Sequence, residues 1–126
     1  MDGLVGIHSM LGGIIVVMMI IVAILGAIYA AGGSDNLLRP ASMLAAGLYL
    51  LQLVLGFALL SGGLKNSTGH YLVALLILVP VAVQHSAAKR LSTRTRGYTV
   101  MICALAAAFL LSKSNGHRHA DDDTLD

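Results

Sequence analysis

The residues of this chain that could do chemistry are polar side chains set in otherwise apolar sequence. They are His8, Gln52, His70, Gln84 and His85. A polar side chain at membrane depth costs free energy, so it marks a candidate functional site. Neutral imidazole is also a common metal ligand. The three histidines are therefore the first candidates for a metal-binding or redox site.

The surrounding sequence consists of four long segments without charge. Hydrophobic residues make up 57% of the 126 residues and charged residues only 11%. This composition lies far from that of a soluble domain. The uncharged segments predict membrane-spanning helices at about 5–31, 40–61, 70–89 and 97–113. We therefore predict an all-α four-helix transmembrane bundle at residues 1–113, with a mobile polar tail at 114–126.

Glycine and proline positions predict where the helices end and how they pack. Gly32-Gly33 and Gly62-Gly63 predict turns after the first and second helices. Pro40 suits the first turn of the second helix, and Pro80 lies in the middle of the third. Small residues recur within the spans at Gly12, Gly13, Gly26, Ala27, Gly47, Gly56, Ala74, Ala104, Ala106, Ala107 and Ala108. Small side chains let helices approach closely in lipid, so they favour a packed bundle.

The distribution of basic residues predicts orientation. One side of the bundle carries Arg39, Lys89, Arg90, Arg94 and Arg96, and the other carries Lys65, Lys113 and Arg118. By the positive-inside rule, both termini face outward from a cytoplasmic (inner) membrane. The basic 3–4 loop is read as a topology anchor, with contact to anionic lipid or a partner as the alternative. A net charge of +2 is too small to indicate nucleic-acid binding.

Depth in the membrane sorts the histidines into two groups. The first and third helices both start on the outer side, so His8 and His70 both lie near the outer face at the N-terminal ends of their helices and can meet across the bundle. His85 lies roughly 22 Å further along the third helix at 1.5 Å per residue. It cannot share a site with the other two, and is read as an interfacial residue.

Two histidines at matched depth suit the axial ligation of heme, which takes one ligand on each face of the ring. Gly12 and Ala74 stand one turn below His8 and His70, where they leave room for a porphyrin. Small and polar residues on the second helix, Gln52 and Gly56, complete the predicted cofactor site. Lys65 offers a cation to the propionates. Interfacial histidines without a ligand remain the alternative. For Gln52, an interhelical hydrogen bond is favoured over contact with the cofactor.

Residue types that are missing narrow the function further. The chain has no glutamate, and its aspartates all lie outside the predicted spans. This disfavours small multidrug exporters, which couple protons through a carboxylate in the membrane. The single cysteine, Cys103, allows neither an intrachain disulfide nor a c-type heme attachment motif, and is read as a packing residue.

Three segments give the chain a resemblance to a known family. His8-Ser9-Met10-Leu11-Gly12-Gly13, Gln52-Leu53-Val54-Leu55-Gly56 and residues 64–72 with His70 resemble one four-helix half of heme A synthase. The resemblance implies His8 and His70 as axial ligands of a b-type heme. The chain departs from the family at Leu4-Val5, where an acidic residue is expected, and it lacks the family's extracellular cysteine pair. Enzymatic oxidation of a heme methyl group is therefore disfavoured.

The function expected from these features is electron transfer by a cytochrome b-like membrane protein. The half-length chain implies a homodimer or attachment to a larger redox complex. The alternative is a cofactor-free accessory subunit that packs against a larger respiratory or photosynthetic complex.

Overall fold

The chain folds into four α-helices. The computed structural model describes residues 2–64, 68–86 and 90–120, with side chains as far as residue 113. The helices are α1 (Asp2–Ala30), α2 (Leu38–Ser61), α3 (Thr68–His85) and α4 (Thr93–Ala120). None of the described residues lies in a strand. Each helix contains a segment long and apolar enough to cross a membrane, so the predicted all-α four-helix class is confirmed.

Paired glycines end the first two helices as the sequence predicts. Gly32 and Gly63 have φ values of 98° and 88°, in the left-handed region that glycine adopts without steric cost. After α1, the Gly33 N–H donates to the Ile28 carbonyl at 2.9 Å, and the Gly32 N–H donates to the Tyr29 carbonyl at 3.1 Å. This Schellman pattern satisfies carbonyls that would otherwise lack partners at the helix end.

Helix α4 begins earlier than predicted, at Thr93 rather than near residue 97. Ser92 explains the difference, because its carbonyl accepts the Arg96 N–H at 2.8 Å and opens the helical ladder. Its Oγ also donates to Thr95 Oγ1 at 2.9 Å. Serine is a favoured N-cap residue, and this signal lies upstream of the apolar segment.

The two remaining bounds differ at C-terminal ends. The backbone of α4 stays helical to Ala120, past the predicted end of the fourth span at residue 113. A formed helix gains one hydrogen bond for each further residue, so it can outlast its apolar face. Residues 121–126 of the predicted tail lie outside the described residues, and its mobility stays a prediction. Helix α3 ends at His85, and residues 87–89 of the predicted span also lie outside the description.

The helices present a regular inner stripe to the bundle interior. In α1 the buried residues include His8, Gly12, Ile15, Met19, Val22, Gly26 and Tyr29. Their alternating spacing of four and three residues is the repeat of helices that cross at shallow angles. Large apolar side chains such as Ile24, Val54 and Phe109 are exposed on the opposite faces. Apolar side chains on the outer surface fit helices whose outer faces meet lipid.

Helices α1 and α4 approach each other through glycine. A Cβ added at Gly26 would lie 3.0 Å from the Gly97 carbonyl oxygen and 3.0 Å from the Met101 backbone nitrogen. A Cβ added at Gly97 would lie 2.6 Å from the backbone nitrogen of Ala30. Only glycine permits these contacts, because the opposing atoms belong to backbone that cannot turn away. The predicted role of small residues is confirmed at this pair of helices.

Two other glycines that the sequence assigns to packing do not pack. A Cβ added at Gly13 or Gly47 would meet nothing within 4 Å. Both residues are exposed on the outer faces of their helices. The sequence prediction was wrong for these two positions, because residue size does not reveal which face a glycine occupies.

Helices α2 and α3 are joined mainly by side chains. Helix α1 packs against α2 and α4, and α4 packs against α3. Between α2 and α3, the Tyr49 hydroxyl donates to the Ala74 carbonyl. Further along, Gln84 Nε2 donates to Ser42 Oγ at 2.6 Å. The space that these long contacts leave between α2 and α3 contributes to two cavities, one toward each end of the bundle.

Candidate functional site

His8 and His70 meet at one end of the bundle, called here the terminus end because α1 begins there and α3 begins beside it. The two ring centroids are 6.2 Å apart, with an angle of 61° between the ring planes. His8 is buried, with 6% of its surface exposed, and His70 is half-buried in the first turn of α3. The structure therefore brings the two predicted ligands together across the bundle.

A cavity of about 360 Å³ surrounds the two rings. Its walls come from all four helices and include the predicted site residues Gly12, Gln52, Gly56 and Ala74. Most of the remaining wall is apolar, with residues such as Val5, Leu53, Phe57, Leu75 and Leu111. The volume falls in the usual range for small-molecule sites, about 300–1,000 Å³. Lys65, the cation predicted for the propionates, lies outside the described residues.

Gln52 ties α2 to α1 at the level of the candidate ligand. Its Nε2 donates to the His8 backbone carbonyl at 2.8 Å. This is the interhelical hydrogen bond that the sequence favoured for Gln52. The other amide atom, Oε1, is buried and accepts no hydrogen bond from the described residues. The side chain therefore positions the backbone of His8 and leaves an acceptor at the cavity.

Gly56 gives the His8 ring its place against α2. A Cβ added at Gly56 would lie 3.4 Å from Cε1 of His8, at the limit of ordinary contact. A larger side chain at this position would occupy the space of the ring. A small residue at position 56 therefore keeps the space of the His8 ring open.

Two tyrosines of the cavity wall were not among the predicted site residues. Tyr49 is 1% exposed, and its hydroxyl donates to the carbonyl of Ala74 beneath His70. The Tyr71 ring packs edge-on against His70, with centroids 5.9 Å apart and an interplanar angle of 77°. The signal for Tyr49 was its position three residues before Gln52, which places both on one helical face.

The donor set limits the chemistry of this cavity. The described residues contain no group of three or more His, Cys, Asp or Glu side chains that could hold a metal ion. Two imidazoles alone fall short of the three or four protein ligands of zinc sites. They match the two axial positions of a heme, whose macrocycle supplies the other four nitrogens. Two imidazoles in an apolar cavity thus fit a metal that arrives inside an organic cofactor.

His85 lies in a different environment, as its predicted depth requires. Its Nε2 is 3.4 Å from Ser42 Oγ, and its Nδ1 is 3.0 Å from the Val81 carbonyl. It lines a second cavity toward the opposite end of the bundle. Cys103 is half-buried on α4 and lines neither of the two cavities.

The chain matches no protein-family model, no curated protein and no solved structure.

Proposed function

We propose that this protein binds one b-type heme between His8 and His70 and transfers electrons in a membrane. The observation that carries the proposal is the 6.2 Å separation of the two ring centroids. Metal–imidazole bonds of about 2 Å on both sides, plus about 1 Å from each ligating nitrogen to its ring centre, place two axial histidines about 6 Å apart. The two rings already have that spacing.

The cavity wall supports a heme rather than a hydrated ion. The wall beside Gly12, Gly56 and Ala74 is largely apolar, which suits the edge of a macrocycle. When bound, the heme would supply one-electron redox chemistry. The chain's own residues would hold its iron through His8 and His70, fix the His8 backbone through Gln52, and limit the access of water.

Electron transfer agrees with the lining better than heme modification does. Apart from the two histidines, the polar side chains of the described wall are Gln52, Tyr49 and Tyr71, and none is a carboxylate. The resemblance to half of heme A synthase supports the same ligand pair without the acidic residue of that family.

In a cytoplasmic membrane oriented by the positive-inside rule, this heme would lie near the outer face. A green fluorescent protein fused to the C-terminus would then stay dark, and a fluorescent fusion would contradict this orientation.

The visible spectrum of the purified protein tests the proposal. Expression with sufficient heme should give about one heme per chain and a reduced-minus-oxidised α band of a low-spin cytochrome b. His8→Ala and His70→Ala should each abolish the low-spin band, since each removes one axial ligand. His85→Ala is the matched control and should keep it. A wild-type protein without an α band, or variants at His8 and His70 that keep it, would rule the proposal out.

An accessory subunit without a cofactor is the second candidate. The observation that favours it is that α3 is the least buried of the four spans, with Leu72, Leu76 and Val79 exposed on its surface. A larger membrane subunit, or a second copy of this chain, could pack on that face through the same contacts that hold helices together in lipid. Under this alternative the protein copurifies with a membrane complex, and alanine at His8 leaves every spectrum unchanged.

A further inference from the structure

We propose that the second cavity binds a phosphate ester. It measures about 350 Å³ and lies toward the end of the bundle formed by the α1–α2 and α3–α4 connections, called here the loop end. Its walls include Arg39 of α2, Arg96 of α4 and the polar side chains Ser42, Gln84 and His85. None of these residues belongs to the heme site, so this inference stands independently of the proposed function.

A fixed chain of hydrogen bonds forms the inner wall of this cavity. The Val81 carbonyl can only accept, so His85 Nδ1 carries the hydrogen of that 3.0 Å contact. In the neutral ring, Nε2 is then an acceptor, and the Ser42 hydroxyl, 3.4 Å away, is its donor. Gln84 Nε2 in turn donates to Ser42 Oγ at 2.6 Å. Ser42 and Gln84 are 8% and 6% exposed, so a polar surface is built into the bundle at this depth.

The charges around this wall favour an anion. The two guanidinium groups of Arg39 and Arg96 line the cavity together with one carboxylate, that of Asp35. With neutral His85 the formal charge is therefore positive. Arginine offers a planar array of donors that matches the oxygens of phosphate. Two further arginines at the same end, Arg90 and Arg94, add to the local positive potential.

The position of the cavity identifies where a phosphate ester would come from. Arg39 lies in the first turn of α2 and Arg96 in the first turn of α4, where both helices enter their apolar segments. The phosphates of membrane lipids lie at this depth, and basic pockets between membrane helices bind anionic head groups. An anionic phospholipid and a soluble phosphate ester share the chemistry that the cavity recognises, and an experiment can separate them.

Lipid retention by the purified full-length chain tests the site. We expect native mass spectrometry from mixed micelles to find phosphatidylglycerol bound in preference to phosphatidylcholine. Arg39→Gln should lower phosphatidylglycerol retention about tenfold, the effect of losing a charged hydrogen bond. Arg94→Gln is the matched control, because it removes the same charge from an exposed residue of the same end outside the cavity. It should keep retention within about twofold.

Further variants keep the test decisive. Arg39→Lys should retain an intermediate amount, since it keeps the charge but loses the planar fork. Asp35→Asn should raise retention, because it removes the opposing carboxylate. Equal losses in Arg39→Gln and Arg94→Gln would overturn the proposal, because they would mean attraction to the whole basic end.

Glycerol phosphate separates the two sources of phosphate. If millimolar glycerol phosphate displaces the lipid and raises the unfolding temperature of the lipid-free protein, the site takes soluble phosphate esters. If only phosphatidylglycerol binds, the ligand is a membrane lipid. Binding of neither, with the protein folded, would overturn the proposal.

Discussion

At the scale of single residues, the position of His8 in its cavity depends on two residues of the neighbouring helix α2. The His8 ring lies against Gly56, where a side chain much larger than a methyl group would occupy its space, and the Gln52 amide donates to the His8 carbonyl. Neither residue can donate electrons to iron as imidazole does. In the proposed heme site their contribution would be to place the His8 ligand, which is the role that a supporting residue has in most metal sites.

Leucine at Gly56 tests this positioning role. Its side chain would fill the space beside His8 Cε1, so we expect Gly56→Leu to lose most of its heme while the helical content stays unchanged. Gly47→Leu is the control on the same helix, because a Cβ there meets nothing within 4 Å. Heme-to-protein ratio and far-ultraviolet circular dichroism measure the two effects. Full heme content in Gly56→Leu would show that the ring does not need this space.

At the scale of elements, α1 and α4 form the tightest pair of the bundle and α2 and α3 the most open one. The close pair is held by backbone contact at Gly26, Gly97 and Ala30. The open pair is held by long side chains, among them Tyr49 and Gln84. Because α2 and α3 are held apart by these long side chains, space remains near both ends of the bundle. The two candidate sites lie in that space.

Alanine at Gly97 tests the close pair. The new Cβ would lie 2.7 Å from both Cα and Cβ of Ala30. The helices must therefore separate, and we expect a cost of about 1–3 kcal/mol in the free energy of unfolding. Overlap with the Ala30 backbone, which cannot turn away, places the cost toward the upper end of this range, above the gain of about 1 kcal/mol that alanine brings to a helix. Gly47→Ala, on an open surface, should cause no loss. Reversible unfolding in detergent would measure both, and equal stability of the two variants would contradict the packing.

At the scale of the whole molecule, the bundle separates two different chemistries. The terminus end presents two imidazoles in a mostly apolar cavity, and the loop end presents arginines beside a buried polar chain. The two cavities share no lining residue. Sites that share no residues and lie at opposite ends of a rigid scaffold usually respond to mutation independently.

We therefore expect the two sites to be separable by single substitutions. His8→Ala should lose heme and keep phosphatidylglycerol retention within about twofold, whereas Arg39→Gln should do the reverse. Heme absorbance and native mass spectrometry on the same preparations measure both quantities. If either variant loses both ligands while it remains folded, the two ends are coupled, and the assumption of a rigid scaffold fails.

Much of the fold follows from the sequence alone, because the backbone groups of a segment in lipid must form hydrogen bonds within the protein, and few structures allow this. Uncharged segments long enough to span a bilayer must be helical when no other segment can pair with them. Gly32 and Gly63 end helices because they tolerate positive φ. The equal depth of His8 and His70 also follows from the sequence, since both lie near the N-terminal ends of helices that start on the same side and depth depends only on the count of residues along each helix.

Only the tertiary structure decided which faces of the helices meet. The glycines at 26 and 97 pack, whereas those at 13 and 47 do not, although the sequence treats small residues alike. Ser42 contacts Gln84 and His85, residues of the next helix that lie more than forty positions further along the chain. A single serine in an apolar segment gives no sign of this contact. Such contacts depend on the rotation and separation of whole helices. Packing fixes those quantities, and local sequence determines only the stripe that each helix can offer.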